Sequence, residues 1–168
     1  MKLIIPAFAI MTLTGWLVIT DNIESSKAST ETEILVATTP CGKMIRPLHK
    51  IPAQIDCALV EWKLNFYKDP DSGKPTTYKI SSVNRFTVKE TNMYSQPGTK
   101  SETEGTWSIV RGNKTYPNSI IYRLNPGDSK ISIDFLKLSE NLFHILENDG
   151  SLMVGNPFWS YTLTRTGN

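Results

Sequence analysis

The sequence predicts an all-β protein, an antiparallel barrel of about eight strands. Apolar side chains recur at every second position over most of the chain after residue 50, which is typical of half-buried strands. Turn-forming clusters of Gly, Pro, Asn and Asp separate these runs at short intervals. No segment after residue 30 has the apolar spacing of a helix. Closure of the sheet into a barrel would remove its exposed edges.

Eight segments alternate or run apolar strongly enough to be predicted as strands. They are Cys57–Tyr67, Thr76–Ile80, Arg85–Lys89, Gly105–Val110, Ser119–Leu124, Ile131–Phe135, Leu142–Leu146 and Phe158–Arg165. The side chains expected on their inner faces are, in chain order, Val60, Trp62, Leu64, Phe66, Tyr78, Ile80, Phe86, Val88, Trp107, Ile109, Ile120, Tyr122, Leu124, Ile131, Ile133, Phe135, Trp159, Tyr161 and Leu163. The seventh segment is a short apolar run.

Turn chemistry separates these segments. Turns are predicted at Asp69–Gly73, Arg111–Asn113, Asn125–Asp128 and Asn148–Gly150. The polar stretch Asn92–Glu104 is expected to be a long loop.

Composition excludes several classes of function. The chain has 18 basic and 16 acidic residues, a formal net charge of +2, and no basic block, so nucleic-acid binding is not expected. Two Cys are too few for a four-Cys zinc module or a disulfide-dense scaffold. The chain has neither a Gly-x-Ser-x-Gly elbow nor a phosphate-binding Gly-rich loop, and we expect a protein that is not an enzyme.

The N-terminus resembles a targeting segment. Lys2 is followed by Leu3–Ile19, seventeen residues without a charge. We expect residues 1–28 to be a signal peptide or an N-terminal anchor, with membrane contact only if this segment is retained. Residues 29–50 are expected to be a leader and loop, and residues 51–168 to form the barrel domain. An exported chain would lie in the periplasm or elsewhere in the cell envelope.

The two cysteines allow two interpretations. Fifteen residues separate Cys41 from Cys57, and in an exported protein a structural disulfide is expected between them. The alternative is a metal site for Cu(I) or Zn formed by Cys41, Met44, His49 and Cys57, which are soft or borderline ligands close together in the sequence.

Five aromatic residues fall on the inner faces of the strands. They are Trp62, Tyr78, Trp107, Tyr122 and Tyr161. Either they fill the barrel as its core or they line a cavity for a small apolar ligand.

The order of several short motifs resembles one family. Pro52–Leu64 reads Pro-Ala-Gln-Ile-Asp-Cys-Ala-Leu-Val-Glu-Trp-Lys-Leu, and Glu104-Gly105-Thr106-Trp107 follows. Near the end stand Leu146-Glu147-Asn148-Asp149-Gly150 and Tyr161-Thr162-Leu163. This order is similar to the N-terminal domain of the NlpE family, bacterial envelope lipoproteins tied to copper resistance and surface-stress signalling. The resemblance covers residues 51–165.

The resemblance implies a small lipocalin-like barrel in the periplasm or envelope. It implies a role in envelope stress sensing or copper homeostasis, with copper as the cofactor and an envelope sensor protein as the partner. Two departures limit it: Ala53-Gln54-Ile55-Asp56 stands where the family has its first motif Cys, and Asp21 stands where a lipoprotein would have its acylated Cys. A one-domain version of the family is expected. The alternatives are a lipocalin-like carrier of a small apolar ligand and an envelope interaction or inhibitor module.

Overall fold

The computed structural model describes residues 29–88, 90–91, 93–94, 97–127 and 132–167. The expected signal or anchor segment, residues 1–28, lies outside the described residues, as do Lys89 and Ile131 of two predicted strands.

The described residues form a closed barrel of eight strands with one short helix. The elements are β1 (Thr30–Pro40), α1 (Ile45–Leu48), β2 (Leu59–Lys68), β3 (Pro75–Arg85), β4 (Thr99–Arg111), β5 (Ile120–Pro126), β6 (Ile133–Lys137), β7 (Leu142–Ile145) and β8 (Thr162–Arg165). Each strand is antiparallel to the next in chain order, and β8 pairs with β1. The predicted antiparallel barrel is therefore confirmed. No helix among the described residues is long and apolar enough to cross a bilayer.

The first strand lies where a leader and loop were expected. β1 occupies Thr30–Pro40 and pairs with β2 along its whole length. Its inward-facing positions carry Glu33, Leu35, Ala37 and Thr39, of which only Leu35 is a large apolar residue. Period-two alternation of hydrophobicity is therefore weak in this strand, and the expectation of a leader and loop over residues 29–50 is wrong for β1.

The prediction of a separate strand at Arg85–Lys89 is also wrong. β3 runs without interruption to Arg85, and its inner face changes from Tyr78 and Ile80 to polar side chains further along. Phe86 and Val88 follow the strand and are 46% and 37% exposed. The apolar pattern stops at Ile80 although the hydrogen-bonded strand continues.

β4 also differs from the expected boundaries. It begins at Thr99, inside the stretch Asn92–Glu104 that was expected to be a loop. Ile109, expected inside, is 45% exposed: it lies two residues from the end of β4 at Arg111, whereas Trp107, two residues further into the strand, is 3% exposed.

At the other end of the sequence, β8 is shorter than predicted. The strand begins at Thr162, so the predicted start of the last segment, Phe158, lies in the connection between β7 and β8 and is 85% exposed. Trp159, expected inside, is half-buried in the same connection.

The core fills the barrel, and a smaller cluster covers part of its outside. Large inward-facing side chains include Leu64, Phe66, Leu124, Phe135 and Phe143, each 0% exposed. On the outer face of β5 and β6, the buried side chains of Ile121 and Leu136 pack with Leu146, Val110 and Tyr116.

Candidate functional site at one end of the barrel

The topology gathers four connections at one end of the barrel. Because the strands alternate in direction, the connections that follow β1, β3, β5 and β7 all lie at the same end. Helix α1 belongs to the first of these connections, and we call this end the α1 end.

A disulfide closes the connection that contains α1. Cys41 and Cys57 are bonded, with Cα atoms 5.8 Å apart. Cys41 directly follows β1, and Cys57 lies two residues before β2. Within this segment Ile45, Leu48 and Ile51 are buried in the barrel core. The expected disulfide is thus present, and it fastens an apolar plug to the α1 end.

The structure does not bring the expected metal ligands together as a free donor set. The sulfurs of Cys41 and Cys57 are bonded to each other, and Met44 is half-buried against the core. The described residues contain no cluster of three or more His, Cys, Asp or Glu side chains placed to hold a metal ion.

His49 is buried completely beside α1. Its ring lies edge-on to Trp62, with 4.7 Å between ring centroids, and neither ring nitrogen has a hydrogen-bond partner. Burial lowers the pKa of His49 from 6.5 to about 3, so the imidazole is neutral at physiological pH. A buried polar group without a partner costs about 1–3 kcal/mol, which makes His49 an unusual feature of this core.

The second histidine, His144, is satisfied. Its Nδ1 lies 3.1 Å from Thr162 Oγ1 and its Nε2 lies 2.8 Å from the carbonyl oxygen of Met153. These contacts join β7 to β8 and to the connection between them.

The five aromatic residues considered as cavity lining all point into the barrel. Trp62, Tyr78, Trp107, Tyr122 and Tyr161 are each 6% exposed or less. The rings of Trp107 and Tyr122 are 5.0 Å apart, and Phe66 lies within 4.5 Å of Trp107 and 5.4 Å of Tyr122. The rings of Phe66, Trp107 and Tyr122 pack on one another, and all five residues belong to the barrel core.

Burial also changes the acidity of two of these side chains. Burial raises the pKa of Tyr78 to about 12. Burial also raises the pKa of Tyr122 to about 12, and the nearby Glu33 carboxylate raises it further. Both phenols are therefore protonated at physiological pH, and Tyr122 donates a hydrogen bond to Glu33 Oε2 at 3.3 Å.

Exposed apolar side chains concentrate in the connections at the α1 end. Of ten large hydrophobic residues exposed on the described surface, seven lie there. They are Ile55, Phe86, Val88, Met93, Leu152, Val154 and Phe158. The connections after β3 and β7 touch each other through Tyr94 and Trp159, whose rings are 6.5 Å apart. We call Met93, Tyr94, Val154, Phe158 and Trp159 the loop cluster.

A hydrogen-bonded turn fixes the backbone of the most exposed aromatic residue of the loop cluster. Asn156 Oδ1 accepts hydrogen bonds from the backbone N–H groups of Phe158 and Trp159, both at 2.9 Å. The Asn156 backbone N–H donates to the Trp159 carbonyl oxygen at 2.9 Å. Gly155 is needed beside this turn because a Cβ there would lie 2.0 Å from the same carbonyl oxygen. Phe158 is therefore presented to solvent by a defined turn.

Sequence reasoning assigned Phe158 to a strand and missed this surface. The signal that could have found it is Asn156-Pro157, an Asn-Pro pair that initiates a turn. Exposure of the connections after β3 and β7 depends on which of their residues pack against the barrel, and the sequence pattern does not predict this packing.

Two clefts flank α1 on the outside of the barrel. One, of about 180 Å³, is mainly apolar and is lined by Met44, Pro47, Leu48 and Ile133 among others. The other, of about 200 Å³, is polar, and the ion pair between Arg123 and Asp134 lies in its wall.

Comparisons with protein families, with characterised proteins and with solved structures find no significant match to this chain.

Proposed function

We propose that the protein is an exported, non-enzymatic β-barrel of the NlpE type that acts in the cell envelope by binding another protein through the loop cluster. The observation that carries this proposal is Phe158, which is 85% exposed on a hydrogen-bonded turn. A residue whose backbone is already fixed in a turn loses less conformational freedom on binding, and aromatic side chains dominate the affinity of protein interfaces.

Charge favours a protein partner over a lipid surface. The connection that carries Phe158, residues 146–161, contains Glu147 and Asp149 and no Lys or Arg. Anionic lipid headgroups attract basic segments and repel acidic ones. We therefore expect Phe158 to enter an apolar pocket of a partner whose rim is basic.

The envelope location is supported by the disulfide and by the uncharged N-terminal segment. A disulfide persists in oxidising compartments such as the periplasm. The motif order shared with the NlpE family adds the expectation of a stress-signalling role, with an envelope sensor protein as the partner. Copper homeostasis follows from that resemblance alone, and two of its four expected ligands are bonded to each other.

The carrier alternative has less support. Binding a small apolar ligand inside the barrel would require the contacts between Phe66, Trp107 and Tyr122 to open.

Crosslinking followed by reconstitution tests the proposal. p-Benzoylphenylalanine is introduced at position 158 and, as a matched control, at position 138, since Leu138 is 48% exposed at the opposite end. We expect one adduct with a protein of the envelope, from position 158 only. The captured protein is then purified, and Phe158→Ser should weaken its binding by roughly 30-fold, or about 2 kcal/mol, whereas Leu138→Ser should leave it unchanged.

Four results would contradict the proposal. An adduct of the chain with itself would indicate an interface between two copies. An adduct with phospholipid would indicate membrane contact. Equal adducts from positions 158 and 138, or a captured protein whose purified form binds Phe158→Ser as tightly as the unaltered chain, would show that the loop cluster is not the binding surface.

A further inference from the structure

The chain offers an oxidant few reactive sulfur atoms. Its two cysteines, Cys41 and Cys57, are bonded to each other, so neither is a free thiol. Thiolates and methionine thioethers are the side chains that peroxide oxidises most readily. Because the thiols are blocked, peroxide oxidation of this protein falls on methionine.

The methionines differ sharply in exposure. The chain has five, of which Met44, Met93 and Met153 lie among the described residues. Met153 is 6% exposed within the barrel core, and Met44 is half-buried against the same core. Met93 is 68% exposed. Because peroxide must reach the sulfur from solvent, we expect Met93 to react before the other two.

A hydrogen-bonded turn fixes the backbone that carries Met93. The Val88 N–H donates to the Met93 carbonyl oxygen at 2.9 Å, and the Met93 N–H donates to Thr91 Oγ1 at 3.1 Å. The Thr91 hydroxyl donates to the Val88 carbonyl oxygen at 2.9 Å. The thioether therefore projects from a defined position in the connection after β3.

The neighbours of Met93 tie it to the rest of the loop cluster. The next residue, Tyr94, bridges to Thr87, and its ring lies 6.5 Å from that of Trp159 between centroids. Trp159 directly follows Phe158 in the connection after β7. A change of polarity at Met93 is therefore a change in the surface to which Phe158 belongs.

Oxidation makes the Met93 side chain polar. Hydrogen peroxide transfers one oxygen atom to the sulfur: an S–O bond forms as the peroxide O–O bond breaks, the sulfur is oxidised by two electrons, and water is released. The sulfoxide carries a hydrogen-bond acceptor where the thioether was apolar. Burial of a polar group in an apolar interface costs free energy unless the group gains a donor. Sulfoxide reductases restore the thioether, so the change is reversible.

We propose that Met93 is an oxidation site that regulates the loop cluster. Hydrogen peroxide converts Met93 to its sulfoxide before the other methionines of the described residues, and the sulfoxide weakens binding of the partner protein. This inference rests on the proposed function, because it assigns regulation to the same surface. The barrel itself is unaffected, since the methionines in and against the core are shielded from solvent.

Peroxide titration of the exported protein, with its disulfide intact, tests the first step. The chain is treated with increasing hydrogen peroxide and digested, and the peptide containing each methionine is quantified by mass spectrometry. We expect the Met93 peptide to gain one oxygen atom several-fold faster than the peptides of Met44 and Met153. Oxidation of Met44 or Met153 at the same rate as Met93 would overturn the proposal.

Binding to the protein captured through position 158 tests the second step, after the peroxide has been removed. Oxidation of the unaltered chain should weaken this binding several-fold, and a methionine sulfoxide reductase should restore it. Met93→Leu keeps an apolar side chain of similar volume, so its binding should be the same before and after peroxide. Met44→Leu is the matched control and should remain as sensitive to peroxide as the unaltered chain.

The variant Phe158→Ser distinguishes failure of this inference from failure of the proposed function. If Phe158→Ser binds the captured protein as tightly as the unaltered chain does, the loop cluster is not the binding surface and both proposals fail. If Phe158→Ser weakens binding and oxidation of Met93 does not, the proposed function stands and regulation through Met93 is overturned. Equal sensitivity of Met93→Leu and the unaltered chain to peroxide would overturn it as well.

Discussion

Arg165 on the last strand bonds to Glu33 on the first, and this ion pair lies at the seam where the barrel closes. Arg165 Nε donates to Glu33 Oε1 at 2.9 Å, and Nη2 donates to the same oxygen. Strands β1 and β8 share only two residue pairs, fewer than any other neighbouring strands of the described barrel. Tyr122 donates to the other carboxylate oxygen of Glu33, so the seam is also tied to β5. A charged side chain that is 6% exposed thereby substitutes for missing backbone pairing.

We expect Glu33→Gln to destabilise the barrel by about 1–3 kcal/mol. Loss of the carboxylate leaves Arg165 without its buried counter-charge, and breaking a buried pair costs more than breaking an exposed one. Urea unfolding at neutral pH measures the change. Glu102→Gln is the matched control, because the Lys79–Glu102 pair is largely exposed and should be worth less than about 1 kcal/mol. Equal effects of the two substitutions would show that the seam does not depend on Glu33.

The disulfide is expected to stabilise the protein without being required for the fold. Closing a loop of this length contributes about 3 kcal/mol in the chain-entropy treatment. The double substitution Cys41→Ser and Cys57→Ser should lower the free energy of unfolding by that amount and retain the strand-rich circular dichroism spectrum. In the unaltered protein, denatured without reductant, thiol titration should find no free cysteine. Two reactive thiols there, together with tight Cu(I) binding, would favour the metal interpretation instead.

Gly105 is expected to be required for packing between β3, β4 and β5. A Cβ at this position would lie 2.4 Å from the carbonyl oxygen of Asn125 and 2.9 Å from the ring of Tyr78. Gly105→Ala should therefore destabilise the protein by about 1–3 kcal/mol through overpacking. Gly127→Ala is the control, since nothing lies within 4 Å of a Cβ there. Thermal unfolding of the two variants decides the matter, and a Gly105→Ala protein as stable as the control would refute this account.

Strands could be predicted from the sequence where apolar and polar residues alternate, because this alternation identifies the buried face. Trp62, Leu64 and Phe66 on β2 identified their strand and its inner face, and the structure places all three inside. β1 escaped detection because Glu33 and Thr39 occupy inward positions. The burial of Glu33 depends on Arg165 and Tyr122, which are distant in the sequence.

The disulfide could be predicted from the sequence, whereas the loop cluster and the burial of His49 could not. The pairing of Cys41 with Cys57 followed from their number and the expected compartment. The loop cluster depends on contacts between connections far apart in the chain, such as that of Tyr94 with Trp159. Nothing in the local sequence of His49 indicates that the barrel encloses it.

Export of the chain is expected to depend on Leu3–Ile19. A variant lacking residues 3–19 should remain in the cytoplasm, where thiols are kept reduced. Fractionation combined with thiol labelling checks this: the unaltered chain should be found in the envelope fraction with its cysteines blocked, and the deletion variant in the cytoplasm with both thiols free. The outcome against export would be equal distribution and equal labelling of the two proteins.

The burial of His49 predicts a loss of stability in acid. Above pH 6.5 the imidazole is neutral in both the folded and the unfolded chain, so it contributes no pH dependence. Between pH 6.5 and about 3 the unfolded chain binds a proton that the folded protein does not, because burial lowers the folded pKa to about 3. The free energy of unfolding should therefore fall with decreasing pH over this window, by at most about 1.4 kcal/mol per pH unit from this group.

Urea unfolding of the unaltered protein and of His49→Phe at pH 7 and pH 5 isolates the contribution of His49, since the carboxylates are the same in the two proteins. We expect a smaller pH effect in His49→Phe than in the unaltered protein. Identical pH dependence in the unaltered protein and His49→Phe would mean that His49 is protonated as easily in the folded barrel as in the unfolded chain.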